Sequence, residues 1–266
     1  MTEVSNNTIL TVLHDISKKI VLPKYQNLKD EDIMYKDNSD LVTSVDIKIE
    51  EELNKILLQI IPNSLFVGEE IVSREPNVID NYNYNNYCWT VDPIDGTKNF
   101  IRGKDKFAIM IGLTFKEKII QSWIYRPLTE EFCYAKLDEG SYINNKKIYI
   151  ENDTDISKAV GSISSKYWEN NLLSKIQNLK RSFNYINSYG CIGIEYIDIV
   201  KGLRDFAILS KLSPWDHIPG ILFVKEAGGA ITHFDKKDYN HIKKKNNLIV
   251  TNSFLLQSKI INLIKE

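Results

Sequence analysis

The sequence predicts an α+β protein, and three patterns predict it. Apolar residues recur at helical spacing in two stretches before Pro62. Short apolar runs separated by polar turns follow, as far as Asn145. Beyond residue 146, strand and helix patterns alternate. Residues 1–146 therefore read as an α+β half, and residues 147–266 as an α/β half. A chain of 266 residues suits one large domain or two small ones sharing a core, so the halves are expected to form one compact unit.

Taken in order, Ile9, Val12, Leu13, Ile16 and Ile20 mark a first helix that Pro23 ends. A polar loop with Lys36, Asp37 and Asp40 leads into a second helix carrying Val45, Ile49, Leu53, Ile56, Leu57 and Ile60. Leu65-Phe66-Val67 is a short strand ending in Gly68-Glu69-Glu70, and residues 73–87 read as a flexible loop. Tyr87 to Val91 read as a buried strand stopping at Asp92. Strands follow at 107–115, 119–125, 132–135 and 142–143. In the second half, strands are predicted at 160–164, 184–189, 206–209 and 230–232. Helices are predicted over 167–179, from the Gly190-Cys191-Ile192-Gly193 segment to about Lys201, and from Asp216 to Ala227. There Gly228 supplies a C-terminal cap.

Composition narrows the function. The formal net charge is −1, with acids and bases interspersed, which removes the electrostatic case for nucleic acid as the main partner. The run Lys243-Lys244-Lys245 beside two asparagines reads as a solvated loop. Cys88, Cys133 and Cys191 show neither zinc-ligand spacing nor a disulfide framework, which favours a reducing cytosol. No signal-peptide or membrane-spanning run is read, so a soluble cytoplasmic protein is expected.

The densest chemistry lies in Asp92-Pro93-Ile94-Asp95-Gly96-Thr97. Two carboxylates beside a fixed turn are the oxygen donors that hard divalent cations take. The Gly-Thr step after them offers backbone amides to a phosphate if a helix begins there. An ordinary turn accounts for the same residues. Thr43-x-x-Asp46 before an apolar run reads as a helix capping box. The adjacent Glu69 and Glu70 repel unless a cation or water separates them, or else sit in an exposed turn. Asp216 reads as an N-cap, with Pro219 in the first helical turn and His217 structural or solvent-facing.

Together these blocks resemble the inositol monophosphatase family, the Mg²⁺-dependent, Li⁺-sensitive phosphomonoesterases related to fructose-1,6-bisphosphatase. The resemblance rests on Asp40-x-x-Thr43-x-x-Asp46, Gly68-Glu69-Glu70, the Asp92–Thr97 block, Trp215-Asp216 and Glu226-Ala227-Gly228-Gly229, and covers about residues 30–235. It implies a layered α-β-α-β-α sandwich, commonly homodimeric, with two or three Mg²⁺ ions between its halves. By that resemblance Glu69, Asp92 and the Ile94 carbonyl hold one ion, and Asp92, Asp95 and Asp216 another. Glu70 stands behind them. Thr97 and Asp46 position and deprotonate the attacking water, supported by Thr43, Asp40 and Trp215. Gly96, Thr97 and Lys36 bind phosphate.

The chemistry is consistent with such a site. Phosphate monoesters hydrolyse over a very high uncatalysed barrier, and paired cations stabilise both attacking and leaving oxygens. The substrate side departs from the family. Inositol-cleaving members place a hydroxyl-binding Glu at the position that is Leu209 here. The helix start usually written Gly-Ser-x-Ala is Gly190-Cys191-Ile192-Gly193. A site lacking that Glu loses a discriminating hydrogen bond. The expected activity is hydrolysis of an inositol-phosphate-like or sugar phosphate ester. Histidinol phosphate or a nucleoside 3′,5′-bisphosphate is the alternative substrate, and a regulatory or RNA-associated scaffold the alternative without catalysis.

Overall fold

The computed structural model describes residues 3–37, 40–151, 153–242 and 245–265. Ser5 accepts the Thr8 amide and opens α1 (Asn6–Ile16), which continues as a π-helical turn over Ser17–Val21. The wider turn shifts the buried stripe, so Val21 is fully buried and Ile20 only partly. The expected polar loop is instead a hairpin, β1 (Ile33–Asp37) paired antiparallel with β2 (Asp40–Thr43). Thr43 then caps α2 (Ser44–Ile60), whose Val45, Ile49, Leu53 and Leu57 are buried at the predicted spacing.

After β3 (Leu65–Gly68) and α3 (Glu69–Arg74), the chain winds through a 3₁₀ stretch, Pro76–Asn83. Residues 73–87 were expected as a loop because Asn and Tyr are poor helix formers. Tertiary contact overrides that preference: the buried Tyr82 hydroxyl bonds Thr90 Oγ1 at 2.8 Å. Next come β4 (Tyr87–Asp95), α4 (Thr97–Ile101), β5 (Ala108–Phe115), β6 (Lys118–Arg126), β7 (Glu131–Lys136), β8 (Gly140–Ile143) and β9 (Lys146–Ile148). Strands β3 to β9 form one seven-stranded sheet in sequence order, antiparallel except for the β3–β4 pair.

The second sheet is built from β10 (Val160–Ile163), β11 (Tyr185–Ile186), β12 (Phe206–Leu209), β13 (Ala230–Thr232) and β14 (Leu248–Thr251), in the order β11-β10-β12-β14-β13. Between and after these strands run α5 (Asn170–Lys180), α6 (Ile192–Val200), α7 (Pro214–Glu226) and α8 (Phe254–Lys265). The sequence reading had no counterpart for β14 or α8. Lys243 and Lys244, read there as a solvated loop, lie outside the described residues.

Side-chain alternation turns these elements into layers. Along β5, Ile109, Ile111 and Leu113 pack with α1 and α2, whereas Ala108 and Met110 pack with α6 and α7. Likewise Ala207 of β12 and Val250 of β14 face α6 and α7, while Phe206, Ile208 and Ile249 face α5 and α8. The order is α1/α2, first sheet, α6/α7, second sheet, α5/α8: a five-layer α-β-α-β-α sandwich. Gly220 lets the middle layer close, because a Cβ there would fall 1.9 Å from the Tyr196 ring.

Candidate active site

Thr43 and Asp46 form the capping box that their spacing predicts, and they do more. Asp46 Oδ2 accepts the Thr43 amide at 2.8 Å and the Thr43 hydroxyl, while Thr43 Oγ1 accepts the amides of Val45 and Asp46. The other Asp46 oxygen accepts from Thr97 Oγ1 at 3.2 Å, across 51 residues of sequence. Thr97 Oγ1 also lies 3.0 Å from the Ile94 carbonyl. Burial pushes the Asp46 carboxyl up to about 6, against the pull of the Thr43 hydrogen bonds. Asp40 lies in β2, but its side chain is outside the described residues.

The β1–β2 hairpin carries Lys36 to the acidic strand end. Its Nζ donates to Glu69 Oε1 at 2.8 Å and Glu70 Oε1 at 2.6 Å. Burial opposes the lysine charge, but the two carboxylates hold it above its ordinary value. Glu70 is raised to about 8, by burial first and by Glu69 next. Beneath them Glu50, on α2, accepts the Glu70 amide at 2.8 Å and the Ile71 amide at 2.6 Å, so α3 begins on a buried carboxylate.

Asp92 and Asp95 sit on either side of a β-bulge. Asp92 pairs with Met110 and Asp95 with Ala108, so β4 spends one residue more than β5 over this interval. Strand β4 thus runs past Asp92, where it was expected to stop. Gly96 follows at φ +96°, a left-handed conformation suited to glycine, and α4 begins at Thr97, which meets the condition set for the Gly-Thr step. Asp95 accepts the Cys191 thiol at 3.0 Å, the Ile192 amide at 3.2 Å and the Gly193 amide. Burial and then Asp216 push Asp95 up to about 7. Asp92 is raised well above its ordinary value by burial, Glu69, Asp95 and Asp216, with Asp216 close enough to share a hydrogen bond. Its Oδ1 is buried and has no hydrogen-bond partner.

Asp216 is not an N-cap. Ser213 occupies that position and Pro214 takes the first helical place, which leaves the Asp216 carboxylate inside the first turn and turned to the other acids. Pro219, one turn later, cannot donate an amide to the Trp215 carbonyl. His217 is buried and structural, between the Tyr196 hydroxyl (2.8 Å) and the Lys211 carbonyl (2.9 Å). Burial holds it down to about 4, so the ring is neutral and keeps the loop before α7 in place.

These parts open on a cavity of about 340 Å³ lined by Lys36, Glu69, Asp92, Ile94, Asp95, Gly96, Thr97, Trp215 and Asp216. Thr43, Asp46 and Glu70 lie behind that lining. Cys191 is buried and contacts Asp95, while Leu209 is buried in the core at the end of β12. Three supports escaped the sequence reading: Glu50, Gly193, and Asn99, whose amide donates to the Lys106 and Tyr189 carbonyls. Among the described residues no three acidic, His or Cys side chains already stand in ligand geometry. The donor set nevertheless fits a hard divalent cation: oxygen atoms only, clustered carboxylates that raise one another's proton affinity, and an orphaned Asp92 oxygen.

The family model described as "Inositol monophosphatase family" matches residues 6–266. The chain belongs to the inositol monophosphatase family. Relatives of this phosphatase family member include the fructose-1,6-bisphosphatase/inositol-1-monophosphatase of Aquifex aeolicus, 26% identical over 218 residues, with 80% of each chain covered. Another is the Nus factor SuhB of Pasteurella multocida, 24% identical over 220 residues, covering 81% of this chain and 80% of the relative. An IMPase/NADP phosphatase solved with Mg²⁺ and phosphate superposes at a TM-score of 0.81, with 22% identity, over 97% of this chain and 94% of that one. Such likenesses place the five-layer sandwich among inositol monophosphatase folds.

Proposed function

We propose that this family member is a Mg²⁺-dependent phosphomonoesterase for a small-molecule phosphate ester. Inositol and sugar phosphates are the class that the family resemblance implies, with histidinol phosphate or a nucleoside 3′,5′-bisphosphate as the alternative. The observation that carries the reading is Asp92 Oδ1, a buried carboxylate oxygen without a partner, set against Glu69, Asp95 and Asp216 beside an open cavity. Glu69, Asp92, Asp95, Asp216 and the Ile94 carbonyl would hold the metal, two or three ions by the family resemblance, and the Mg²⁺ in the IMPase/NADP phosphatase neighbour supports a divalent cation. When bound, the metal supplies positive charge to the phosphate and acidity to water.

The chain's own groups do the rest. Thr97 Oγ1 is placed to accept a proton from the attacking water while passing its own to Asp46. Asp46, raised to about 6, takes up that proton readily near neutral pH. Lys36 balances Glu69 and Glu70 and lines the cavity where phosphate charge arrives. The one-turn α4 offers its first amides, at Gly96 and Thr97, to the same charge. Neither Cys191 nor Leu209 contributes a side chain to the lining.

Lithium sensitivity, a homodimer and a cytosolic location belong to the same proposal. The three buried cysteines, all free thiols, fit a reducing compartment. The SuhB relative favours the scaffold reading as a second one. Phosphate release from inositol 1-phosphate, fructose 1,6-bisphosphate, histidinol phosphate and adenosine 3′,5′-bisphosphate, with Mg²⁺ and with chelator, tests the proposal. Release that requires Mg²⁺ is expected. Its absence from every ester, with metal binding demonstrated, overturns these four substrates and leaves a further phosphate ester or the scaffold.

A further inference from the structure

Glu195, in the first turn of α6, is 2% exposed and does not line the catalytic cavity. Four groups converge on its carboxylate. Ser162 of β10 donates its hydroxyl to Oε2, while Oε1 accepts the Ser188 hydroxyl at 2.9 Å and the Tyr189 amide at 2.8 Å. The Arg204 guanidinium stands 4.0 Å from Oε2 and lies over the Tyr189 ring, 3.7 Å from its centroid. Arg204 is itself buried, and its Nε and Nη1 have no hydrogen-bond partner among the described residues. Three donors and a guanidinium are the surroundings of an ionised carboxylate, and a charge this deep persists only when it is paired.

The turn that Glu195 grips leads directly to the acids. Ser188 Oγ also accepts the Gly190 amide at 3.1 Å, and Asn99 Nδ2 donates to the Tyr189 carbonyl at 2.8 Å. Gly190 reverses the chain at φ +67°. The next three residues supply the Cys191 thiol and the Ile192 and Gly193 amides that Asp95 accepts. The same turn packs on Gly96, where a Cβ would fall 3.2 Å from the Cys191 Cβ and 3.4 Å from the Gly190 carbonyl oxygen. Groups that orient a metal ligand from behind are worth about 10–100-fold in metal affinity.

We propose that Glu195, balanced by Arg204, is a positioning residue: it fixes the 188–190 turn so that Cys191, Ile192 and Gly193 hold Asp95 in its metal-binding orientation. The inference rests on the metal-dependent phosphatase reading and adds a support outside the cavity to it.

The test compares the wild type with Glu195→Gln, Ser188→Ala and Asp205→Asn. Glu195→Gln keeps the shape but loses the charge and one acceptor oxygen. Ser188 is exposed, so Ser188→Ala loosens the same turn without opening the core. Asp205 is the control, a buried carboxylate beside Arg204 whose partners Thr154, Val160 and Asn252 lie outside that turn.

Calorimetric titration with Mg²⁺ alone should show a Kd raised at least about tenfold in Glu195→Gln. The rise should be smaller in Ser188→Ala and absent in Asp205→Asn. Where an ester is turned over, half-saturating Mg²⁺ should rise likewise while kcat at saturating Mg²⁺ stays within about threefold. A general loosening of the fold does not give that split. In metal-free protein, hydrogen exchange at the Ile192 and Gly193 amides should quicken in Glu195→Gln and Ser188→Ala but not in the control. Mg²⁺ affinity or exchange that Glu195→Gln leaves unchanged, or that Asp205→Asn shifts equally, overturns the proposal and leaves the phosphatase reading standing. Should Glu195→Gln fail to fold, Ser188→Ala decides on the same terms. If the wild type binds no Mg²⁺, the phosphatase reading fails by itself and exchange alone decides the positioning. Selective quickening at Ile192 and Gly193 supports it, and none overturns it.

Discussion

A Cβ built on Gly68 would fall 2.3 Å from Glu50 Oε2, so the end of β3 and the buried carboxylate of α2 fit together only because residue 68 has no side chain. The backbone at Gly68 is ordinary, with φ −115°, and the restriction is purely one of space. Glu50 cannot retreat without releasing the amides of Glu70 and Ile71. Gly68→Ala should therefore lower stability by about 1–3 kcal/mol, as overpacking does, and reduce turnover through the displaced Glu69-Glu70 pair. Thermal unfolding and phosphate release check this. An unchanged Tm would remove Glu50 as the support of that corner.

Thr97 separates two roles of one side chain. Thr97→Ser keeps the hydroxyl that faces Asp46 and Ile94 and should retain activity within about tenfold. Thr97→Val keeps the shape but removes the hydroxyl, and should lower kcat by about 10²–10⁴, the range of a lost proton-transfer group. Equal activity in the two variants would assign the proton transfer elsewhere.

Asp92→Asn removes charge from a cluster whose members oppose one another's ionisation. Metal-free protein should then be at least as stable as the wild type, because less repulsion is buried. Mg²⁺ raises the Tm of any protein that binds it only when folded, and that rise should vanish in the variant together with activity. Near-normal turnover in Asp92→Asn would sink the shared-ligand assignment.

Acid stability should carry a signature of His241. Burial holds this histidine down to about 4, below its ordinary value of 6.5, despite the Lys116 carbonyl and Glu117. The unfolded chain therefore takes the proton first. The stabilisation is complete above about pH 6.5 and is lost as pH falls from there towards 4, with an upper bound of about 3 kcal/mol. In His241→Phe the unfolding free energy should decline less over that window, as read from denaturant titrations at stepped pH. Parallel slopes for the two proteins would contradict it.

Most of the architecture was legible because its signals are local. The stripe of Val45, Ile49, Leu53 and Leu57, the Pro62 stop and the Gly228 cap each need only neighbours in sequence. The same holds for the Asp92–Thr97 block. What escaped depends on partners far along the chain. Tyr82 reaches Thr90 and orders a segment whose composition reads as loop. Asn99 meets Tyr189 from 90 residues away, and Gly193 meets Asp95 from 98. Glu50 did leave a trace: with Asp46 it forms an acidic pair at i, i+4 beside an apolar stripe, where charge has to be answered by buried donors. Asp216 was misplaced by one turn because Ser213-Pro214 is the stronger helix start.

The extra residue that β4 carries between Asp92 and Asp95 also limits how this gene can drift. In a regular strand, residues three apart point to opposite faces, and the bulge is what lets both carboxylates face Asp216. Point changes at Pro93 alter stiffness and leave this phase intact. A one-codon deletion at 93 or 94 would instead remove the bulge and set the two aspartates two residues apart, an interval that a regular strand also keeps on one face. The shared face follows from the interval and the bulge together, and changing either one alone turns the two carboxylates apart.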